Sequence, residues 1–147
     1  MKIKRNKGFS LMEIMLVIFI ISLVVAFGLP QYSRAIDKSN EKNARLQLMA
    51  LHAANFSYLS AANEFLDDGG SPLDVSEINN GLEMNIIPNG ATYSYTRPTI
   101  NEFIATAIIP GASGDFELEV TQGAIKAMSP NANPCCSAGT CPSVPNC

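Results

Sequence analysis

One acidic side chain, Glu13, stands inside an otherwise apolar run, and its type and position are the first sign of chemistry in this sequence. The run extends from Phe9 to Leu29, and a helix of about 20 residues spans the roughly 30 Å of hydrocarbon in a bilayer. A carboxylate at the centre of such a helix costs about 2.5–3.5 kcal/mol, and less near an end. Glu13 therefore either has a cationic partner or lies at the headgroup level, where water solvates it.

The residues before the run suggest such a partner. Residues 1–8 carry four basic side chains and no acid, a pattern that stays on the cytoplasmic side of a membrane. If the chain is cut between Gly8 and Phe9, the new amino group lies one helical turn from Glu13. It could pair with Glu13 of the same chain or of a neighbour. An ordinary secretory signal has a shorter apolar core and small residues at its cleavage site, whereas this run ends at Pro30 without such a site.

The segment Lys7–Glu13, followed by an unbroken apolar run and Pro30, resembles the N-terminus of type IV pilins and type II secretion pseudopilins. The resemblance implies that a prepilin peptidase cuts after Gly8 and methylates the new N-terminal Phe9. It also implies that Glu13 and Pro30 serve assembly, Glu13 as the essential acid and Pro30 as the helix-bending proline.

The same resemblance implies partners and locations. The partners are other pilin subunits, a prepilin peptidase, an inner-membrane assembly platform and, before assembly, the membrane. The precursor would be a single-pass inner-membrane protein, and the assembled subunit would lie in an extracellular pilus or a periplasmic pseudopilus. The resemblance covers about residues 4–32. The sequence departs from the family pattern at Ser22, where many pilins have a second glycine. The extent to which the helix would melt in a filament is therefore left open.

Helical periodicity resumes beyond Pro30, and an aspartate- and glycine-rich segment, residues 67–72, ends it. Residues 9–66 would then form one helix of roughly 85 Å at 1.5 Å per residue. Its second half has an apolar stripe, with Met49 and Ala53 beside it, that should cover a sheet. The stripe comprises Leu48, His52, Phe56, Leu59 and Leu66.

Short alternating or apolar runs after residue 90 predict that sheet. The predicted strands are residues 92–96, 102–109 and 115–121, with 123–128 as a last edge strand. Short turns between them favour an antiparallel meander. The predicted fold class is therefore α+β, a long N-terminal helix, transmembrane in its first half, packed on a small antiparallel sheet in the ladle shape of pilins. The predicted organisation is a leader at 1–8, a transmembrane assembly helix at 9–29 and a head at 30–147, divided into a helix at 30–66, a sheet at about 92–128 and a cysteine-rich tail at 129–147.

All four cysteines fall within the last thirteen residues, and in an exported chain an even number predicts disulfides. Cys135 and Cys136 are adjacent, and a bond between them would close a strained eight-membered ring. The pairs are then either Cys135–Cys141 with Cys136–Cys147, or Cys135–Cys147 with Cys136–Cys141. Structural zinc sites usually contain pairs of cysteines two to four residues apart, which this spacing fits poorly.

Four cations, separated by four, four and three residues, fall on one face of the predicted helix just beyond the apolar run. They are Arg34, Lys38, Lys42 and Arg45. They form either a solvated or lipid-contacting face, or a stripe that meets an acidic surface of a neighbouring head. From Glu64 onward the chain has ten acids and two bases, so the folded part is acidic and lacks the basic face of a nucleic-acid binder.

Three other features could in principle carry chemistry, and each has a simpler interpretation. The single histidine, His52, lies on the face that should meet the sheet and is interpreted as a core residue. Asp67, Asp68 and Asp74 could hold calcium, but they match no calcium-loop template and are interpreted as a solvated turn. Asn55 begins a glycosylation triplet that falls in mid-helix and is interpreted as chance.

Three functions fit these features. The first is the structural subunit of a type IV pilus, and the second is a pseudopilin of a type II secretion system. The third is a single-pass anchored binding protein that does not polymerise, although such an anchor has no need of Glu13. The sequence contains no nucleophile–base pair, metal cluster or phosphate loop, so we predict no enzymatic activity, no cofactor and no metal.

Overall fold

A computed structural model describes residues 10–112, 114–122 and 134–147, and the chain divides into two units, residues 1–35 and 36–147. The elements are α1 (Leu11–Ala62), α2 (Val75–Gly81), β1 (Thr92–Thr99), β2 (Glu102–Ile109), β3 (Phe116–Gln122) and β4 (Cys135–Ala138). The strands form one antiparallel sheet in the order β1-β2-β3-β4. A long apolar N-terminal helix and a small antiparallel sheet confirm the predicted α+β, pilin-like fold class.

In the first unit, α1 is helical from Leu11 onward and continues through Pro30 without a break. A proline inside a helix removes one backbone hydrogen bond but does not by itself end the helix. Hydroxyl groups on this stretch bond back to the preceding turn, with Ser22 Oγ donating to the Ile18 carbonyl at 2.8 Å and Ser33 Oγ to the Leu29 carbonyl at 3.3 Å. Serine side chains within a helix commonly make this bond to the carbonyl four residues earlier.

In the second unit, one face of α1 is buried at intervals of three and four residues. The buried positions are Glu41, Ala44, Leu48, Leu51 and Asn55. This face is rotated from the predicted stripe, because Met49 and Ala53, expected beside the stripe, are exposed. Two members of the true face are polar, so a reading based on apolar residues alone placed its centre too far round the helix.

One side of the sheet is buried at alternate residues, and in β3 Glu119 and Thr121 on the other side are buried as well. Tyr93 and Tyr95 of β1, Phe103 of β2, and Leu118 and Val120 of β3 are all at most 3% exposed. Aromatic rings pack on this side: Phe65, in the segment just after α1, lies edge-on to Phe103 with ring centroids 5.0 Å apart, and Phe103 stacks on Tyr95 at 5.8 Å. Alternation located β1 and β3, although β1 continues to Thr99, beyond the predicted 92–96, and an apolar run located β2.

The helix α1 ends at Ala62, four residues before the predicted end at Leu66. Asn63 adopts a left-handed conformation with φ of 61°, and its backbone N–H donates to the Leu59 carbonyl at 2.8 Å. Asparagine tolerates this conformation and commonly follows a helix. The side-chain oxygen of Asn55 accepts a hydrogen bond from the Leu66 N–H at 3.2 Å. This bond holds the segment that follows α1 against the helix.

The short helix α2 was not predicted, although its start has a recognisable pattern. Asp74 accepts a hydrogen bond from the Glu77 N–H at 2.9 Å, and the Glu77 carboxylate accepts one from the Asp74 N–H at 2.9 Å. This reciprocal capping box satisfies backbone donors at the helix start. The helix buries Ile78 in the core, so Asp74 has a structural role.

The fourth strand comes from the cysteine-rich tail, for which no strand was predicted. Residues 135–138 pair with β3, with Glu119 opposite Cys135 and Leu118 opposite Cys136. The sheet therefore extends beyond the predicted limit of residue 128. Residues 123–128, predicted as the edge strand, lie outside the described residues.

Candidate assembly segment and surfaces of the head

The first described turn of α1 is closed by Glu13. The Glu13 carboxylate accepts a hydrogen bond from the Ser10 N–H at 2.9 Å, and the Glu13 N–H donates to the Ser10 carbonyl at 3.0 Å. An acid in the first turn of a helix also interacts favourably with the helix dipole. Glu13 thus has a local structural role at the end of the apolar segment. Gly8 and Phe9, the predicted cleavage and methylation site, lie outside the described residues.

The segment after Glu13 presents its apolar side chains to the surroundings. All described residues from Ser10 to Leu29 are exposed, and Leu11 and Phe27 expose 79% and 75% of their surface. By length and composition α1 could cross a membrane, and none of its most apolar window is buried. The core helix of a soluble protein would be mostly buried. An exposed apolar surface of this extent marks an interaction with lipid or with other helices.

The four predicted contact cations differ in exposure. Arg34, Lys38 and Lys42 are exposed, whereas Arg45 is half-buried and has an interaction partner. The cations of the head therefore point in part to the outside and in part toward the protein. Their role in subunit contacts stays a prediction.

The tail contains two disulfides, and their connectivity is one of the two that the sequence analysis left open. Cys135 is bonded to Cys147 and Cys136 to Cys141. The backbone adds two cross-links, since the Cys136 N–H donates to the Pro145 carbonyl at 2.8 Å and the Cys147 N–H donates to the Cys136 carbonyl at 2.9 Å. The tail lacks a core of its own, so covalent ties that restrict the unfolded chain supply its order.

A buried carboxylate fastens this tail to α1. Glu41 is 1% exposed, and it accepts a hydrogen bond from the Ser143 N–H at 2.9 Å and another from the Ser143 hydroxyl. Val144, the next residue, is buried in the core. One turn earlier on the helix, Asp37 accepts from the Ala112 N–H at 3.2 Å. Two acids of α1 therefore hold two separate loops. Sequence analysis missed both acids, since they alternate with lysines and read as a solvated face.

A second polar network, also missed, is centred on Asn55. Its amide donates to the Tyr95 hydroxyl at 2.9 Å, and that hydroxyl donates to the Leu66 carbonyl at 3.0 Å. Burial raises the pKa of Tyr95 to about 12, so the phenol keeps its proton and stays a donor. Asn55 is fully buried, and its side chain is occupied by these bonds. The glycosylation triplet is therefore a structural feature in this fold.

The acids that raised the question of calcium are engaged with a single arginine. Arg97 contacts Glu64 at 2.8 Å and Asp67 at 2.5 Å, and the Arg97 N–H donates to Asp68 at 2.9 Å. The hydrogen bond with Glu64 is the main reason that the pKa of Arg97 is raised. The backbone N–H groups of Arg97 and Gly70 lower the pKa of Asp68. The arginine thus supplies the positive charge that this turn needs.

His52 packs against aromatic rings at the edge of the core. Its ring centroid is 4.8 Å from that of Phe56 and 5.5 Å from that of Phe103, and its Nε2 atom is buried without a hydrogen-bond partner in the described part of the chain. Burial lowers the pKa of His52 below 6.5, although a side-chain hydrogen bond with Gln122 acts in the opposite direction. The arrangement supports packing, and within the described ranges the ring contacts of the imidazole are with aromatic side chains.

This lowered pKa predicts a loss of stability in acid. The unfolded chain binds a proton at His52 more readily than the folded chain, so the contribution is complete above pH about 6.5 and is lost as the pH falls toward the folded pKa. We expect a larger drop in Tm between pH 7.5 and pH 5.5 for the native chain than for His52→Gln. Equal drops in the two proteins would show that His52 does not carry the effect.

These features define a class of protein before any comparison. A solvent-exposed apolar helix with an acid in its first turn, followed in the chain by a small disulfide-bonded α+β head, is typical of a pilin-like structural subunit. Within this framework, residues 3–29 match the prokaryotic N-terminal methylation motif.

The chain is also similar to the type IV major pilin protein PilA of Myxococcus xanthus (strain DK1622), with 33% identity over 63 residues. The aligned region covers 43% of this chain and 29% of that protein, so the chain spans less than a third of the length of this relative. No solved structure matches. The motif and the similarity to a major pilin together support the resemblance of this chain to the type IV pilins, which are structural proteins.

Proposed function

We propose that the chain is the precursor of a type IV pilus subunit. Residues 1–8 are a leader that a prepilin peptidase removes after Gly8, residues 9–29 are the assembly helix, and residues 30–147 are the head. The new N-terminal Phe9 is then methylated. The observation that carries the proposal is the fully exposed apolar helix with Glu13 in its first turn, within the segment that matches the methylation motif.

The apolar helix serves two environments in turn. In the inner membrane it is dissolved in lipid as a single-pass anchor, and on an assembly platform it leaves the lipid and is buried against the helices of other subunits. Each subunit contacts the next through two different surfaces, and such heterologous contacts produce open helical polymers. Pro30 adapts the path of the helix to its neighbours.

Glu13 fixes the axial step between subunits in this proposal. In a bundle of apolar helices, the carboxylate needs a cationic partner, and the methylated amino group of Phe9 of a neighbour is the suitable group. A wrong register leaves both charges unpaired in an apolar environment, which costs far more than a surface mismatch. The hydrogen bond from Ser10 already satisfies one carboxylate oxygen and leaves the other available.

A pseudopilin of a type II secretion system is the second candidate, since it shares the same N-terminal features. The compact tail with two disulfides favours a pilus, because subunits on a surface filament need protection from the medium. A non-polymerising anchored binding protein is the candidate from another class. Glu13 weighs against it, because an anchor has no use for an acid in its span.

Shearing of intact cells distinguishes these candidates. A pilus subunit is released into the sheared fraction as long filaments, and deletion of its gene leaves protein secretion unchanged. A pseudopilin stays with the cells, and its deletion blocks secretion of periplasmic cargo. An anchored binding protein stays in the membrane fraction as a monomer, and its deletion removes no filament. Recovery of the chain only as a membrane monomer would overturn the proposal.

A further inference from the structure

The exposed face of α1 in the head combines cations with apolar side chains. Lys38, Lys42, Leu46, Met49 and Ala53 follow each other at intervals of four, four, three and four residues, and all are exposed. We call this set the outer face. It lies opposite the buried face of the same helix, so the sheet of its own chain does not cover it.

The apolar part of the outer face is unusual for a surface that meets only water. Leu46 exposes 64% of its surface and Met49 exposes 38%, one and two turns beyond Lys42. Adjacent exposed aliphatic residues bordered by charge are typical of a surface that binds another protein. Of these two residues, Met49 was expected beside the core stripe, and the structure leaves both exposed.

The distribution of charge in the head indicates which partner could cover Leu46 and Met49. The described part of the head, within residues 30–147, has five cations. Four of them, Arg34, Lys38, Lys42 and Arg45, are on α1, and the fifth, Arg97, is held by Glu64 and Asp67. All ten acids from Glu64 onward lie outside α1. The two acids on the same stretch of α1, Asp37 and Glu41, are engaged with Ala112 and Ser143. The exposed cations of this helix can therefore attract the acidic part of a second copy of the chain, in a head-to-tail sense.

One segment of the head combines an exposed acid with an exposed apolar residue, which are the features that complement the outer face. In the loop after α2, which we call the α2 loop (residues 82–91), Glu83 is exposed and has no ion pair or hydrogen bond from its carboxylate within the described ranges. Four residues later, Ile87 exposes 53% of its surface. The acids at residues 64–68 are already engaged by Arg97, whose side chain contacts Glu64 and Asp67 and whose N–H donates to Asp68.

We propose that the outer face of one subunit binds the α2 loop of a second copy, with Lys42 near Glu83 and Leu46 and Met49 against Ile87. This proposal rests on the proposed pilus function and names the surfaces by which heads contact each other. The two surfaces differ, so the contact is heterologous and repeats without closing. Because part of it is an exposed ion pair, the contact weakens as ionic strength rises.

Photo-crosslinking within filaments tests the proposal. A photoreactive amino acid is placed at position 46, filaments are grown from a mixture of ¹⁴N- and ¹⁵N-labelled subunits, and sheared filaments are irradiated and digested. The proposal predicts crosslinked peptides of mixed label that join position 46 to the α2 loop. The matched control is position 108, because Ile108 is also an exposed aliphatic residue, at 41%, but lies on the sheet. It should give at least tenfold less of that product.

The other outcomes overturn the proposal in distinguishable ways. Filaments whose position 46 crosslinks to another part of the second copy, to lipid, or to nothing contradict the docking surface but leave the pilus function intact. A native chain that forms no filament contradicts both. A charge reversal gives an independent check: Lys42→Glu and Glu83→Lys should each lower filament yield several-fold at low salt, and the double variant should recover most of it. Failure of the double variant to recover, while both single variants are folded, would also contradict the proposal.

Discussion

The Glu13→Ala variant is expected to be made and processed normally but to yield at least tenfold fewer filaments. Removal of one partner of a buried ion pair leaves an unpaired charge that costs about 3–5 kcal/mol, and about 1.4 kcal/mol per contact already changes an equilibrium tenfold. The measurement is the amount of subunit in the sheared filament fraction, compared with the amount of processed subunit in the membrane.

The hydrogen bond between Ser10 and Glu13 makes a second variant informative. Glu13→Gln keeps a side-chain oxygen that can accept the Ser10 N–H, but it removes the negative charge. If Glu13 acts as an ion-pair partner, the Gln variant assembles as poorly as the Ala variant. If Glu13 serves only to cap its own helix, the Gln variant assembles normally, and normal filament numbers in that variant would contradict the proposed role.

Loss of the Glu41 carboxylate is expected to destabilise the head by about 2–4 kcal/mol, because two hydrogen bonds to a charged, buried acceptor are removed. Glu41→Ala leaves the Ser143 N–H without its acceptor and detaches the tail from α1, while the two disulfides remain. The measurement is urea-induced unfolding of the full chain in detergent, together with the rate of amide hydrogen exchange at Ser143.

Two controls make this prediction specific. Glu41→Gln retains an acceptor of nearly the same shape and should lose less stability than the Ala variant. Asp37→Ala removes a hydrogen bond to the Ala112 N–H on a more exposed turn and should raise exchange at Ala112 but not at Ser143. Unchanged exchange at Ser143 in Glu41→Ala would mean that the disulfides, the pairing of β4 with β3 and the burial of Val144 hold the tail in place without Glu41.

The elements that could be predicted from the sequence are those whose pattern is local. Strand β2 was predicted with its observed ends, Glu102 and Ile109, because an apolar run ends there at a Pro–Gly turn. Strands β1 and β3 were located by alternation. The assembly segment was predicted by the unbroken apolar run and by the single acid within it.

The parts that could not be predicted depend on contacts between distant residues. Strand β4 contains Cys135, Cys136, Ser137 and Ala138, which have no alternating pattern, and its pairing depends on β3 and on two disulfides. Glu41 is buried only because Ser143, 102 residues later in the chain, supplies its partners.

The end of α1 illustrates the same limit at closer range. The apolar pattern extends to Leu66, but the Asn55 side chain takes the Leu66 N–H and Asn63 turns the chain out of the helix. The capping pattern of Asp74 and Glu77 was visible in the sequence and indicates that α2 could have been found.

The mass of the N-terminal peptide shows whether the chain is processed as a prepilin. It is measured on the mature protein, purified from its native membrane or from sheared filaments. This peptide is expected to begin at Phe9 and to be heavier than the unmodified peptide by one methyl group. An intact Met1, or a start beyond Pro30, would contradict processing as a prepilin, and the filament function would fall with it.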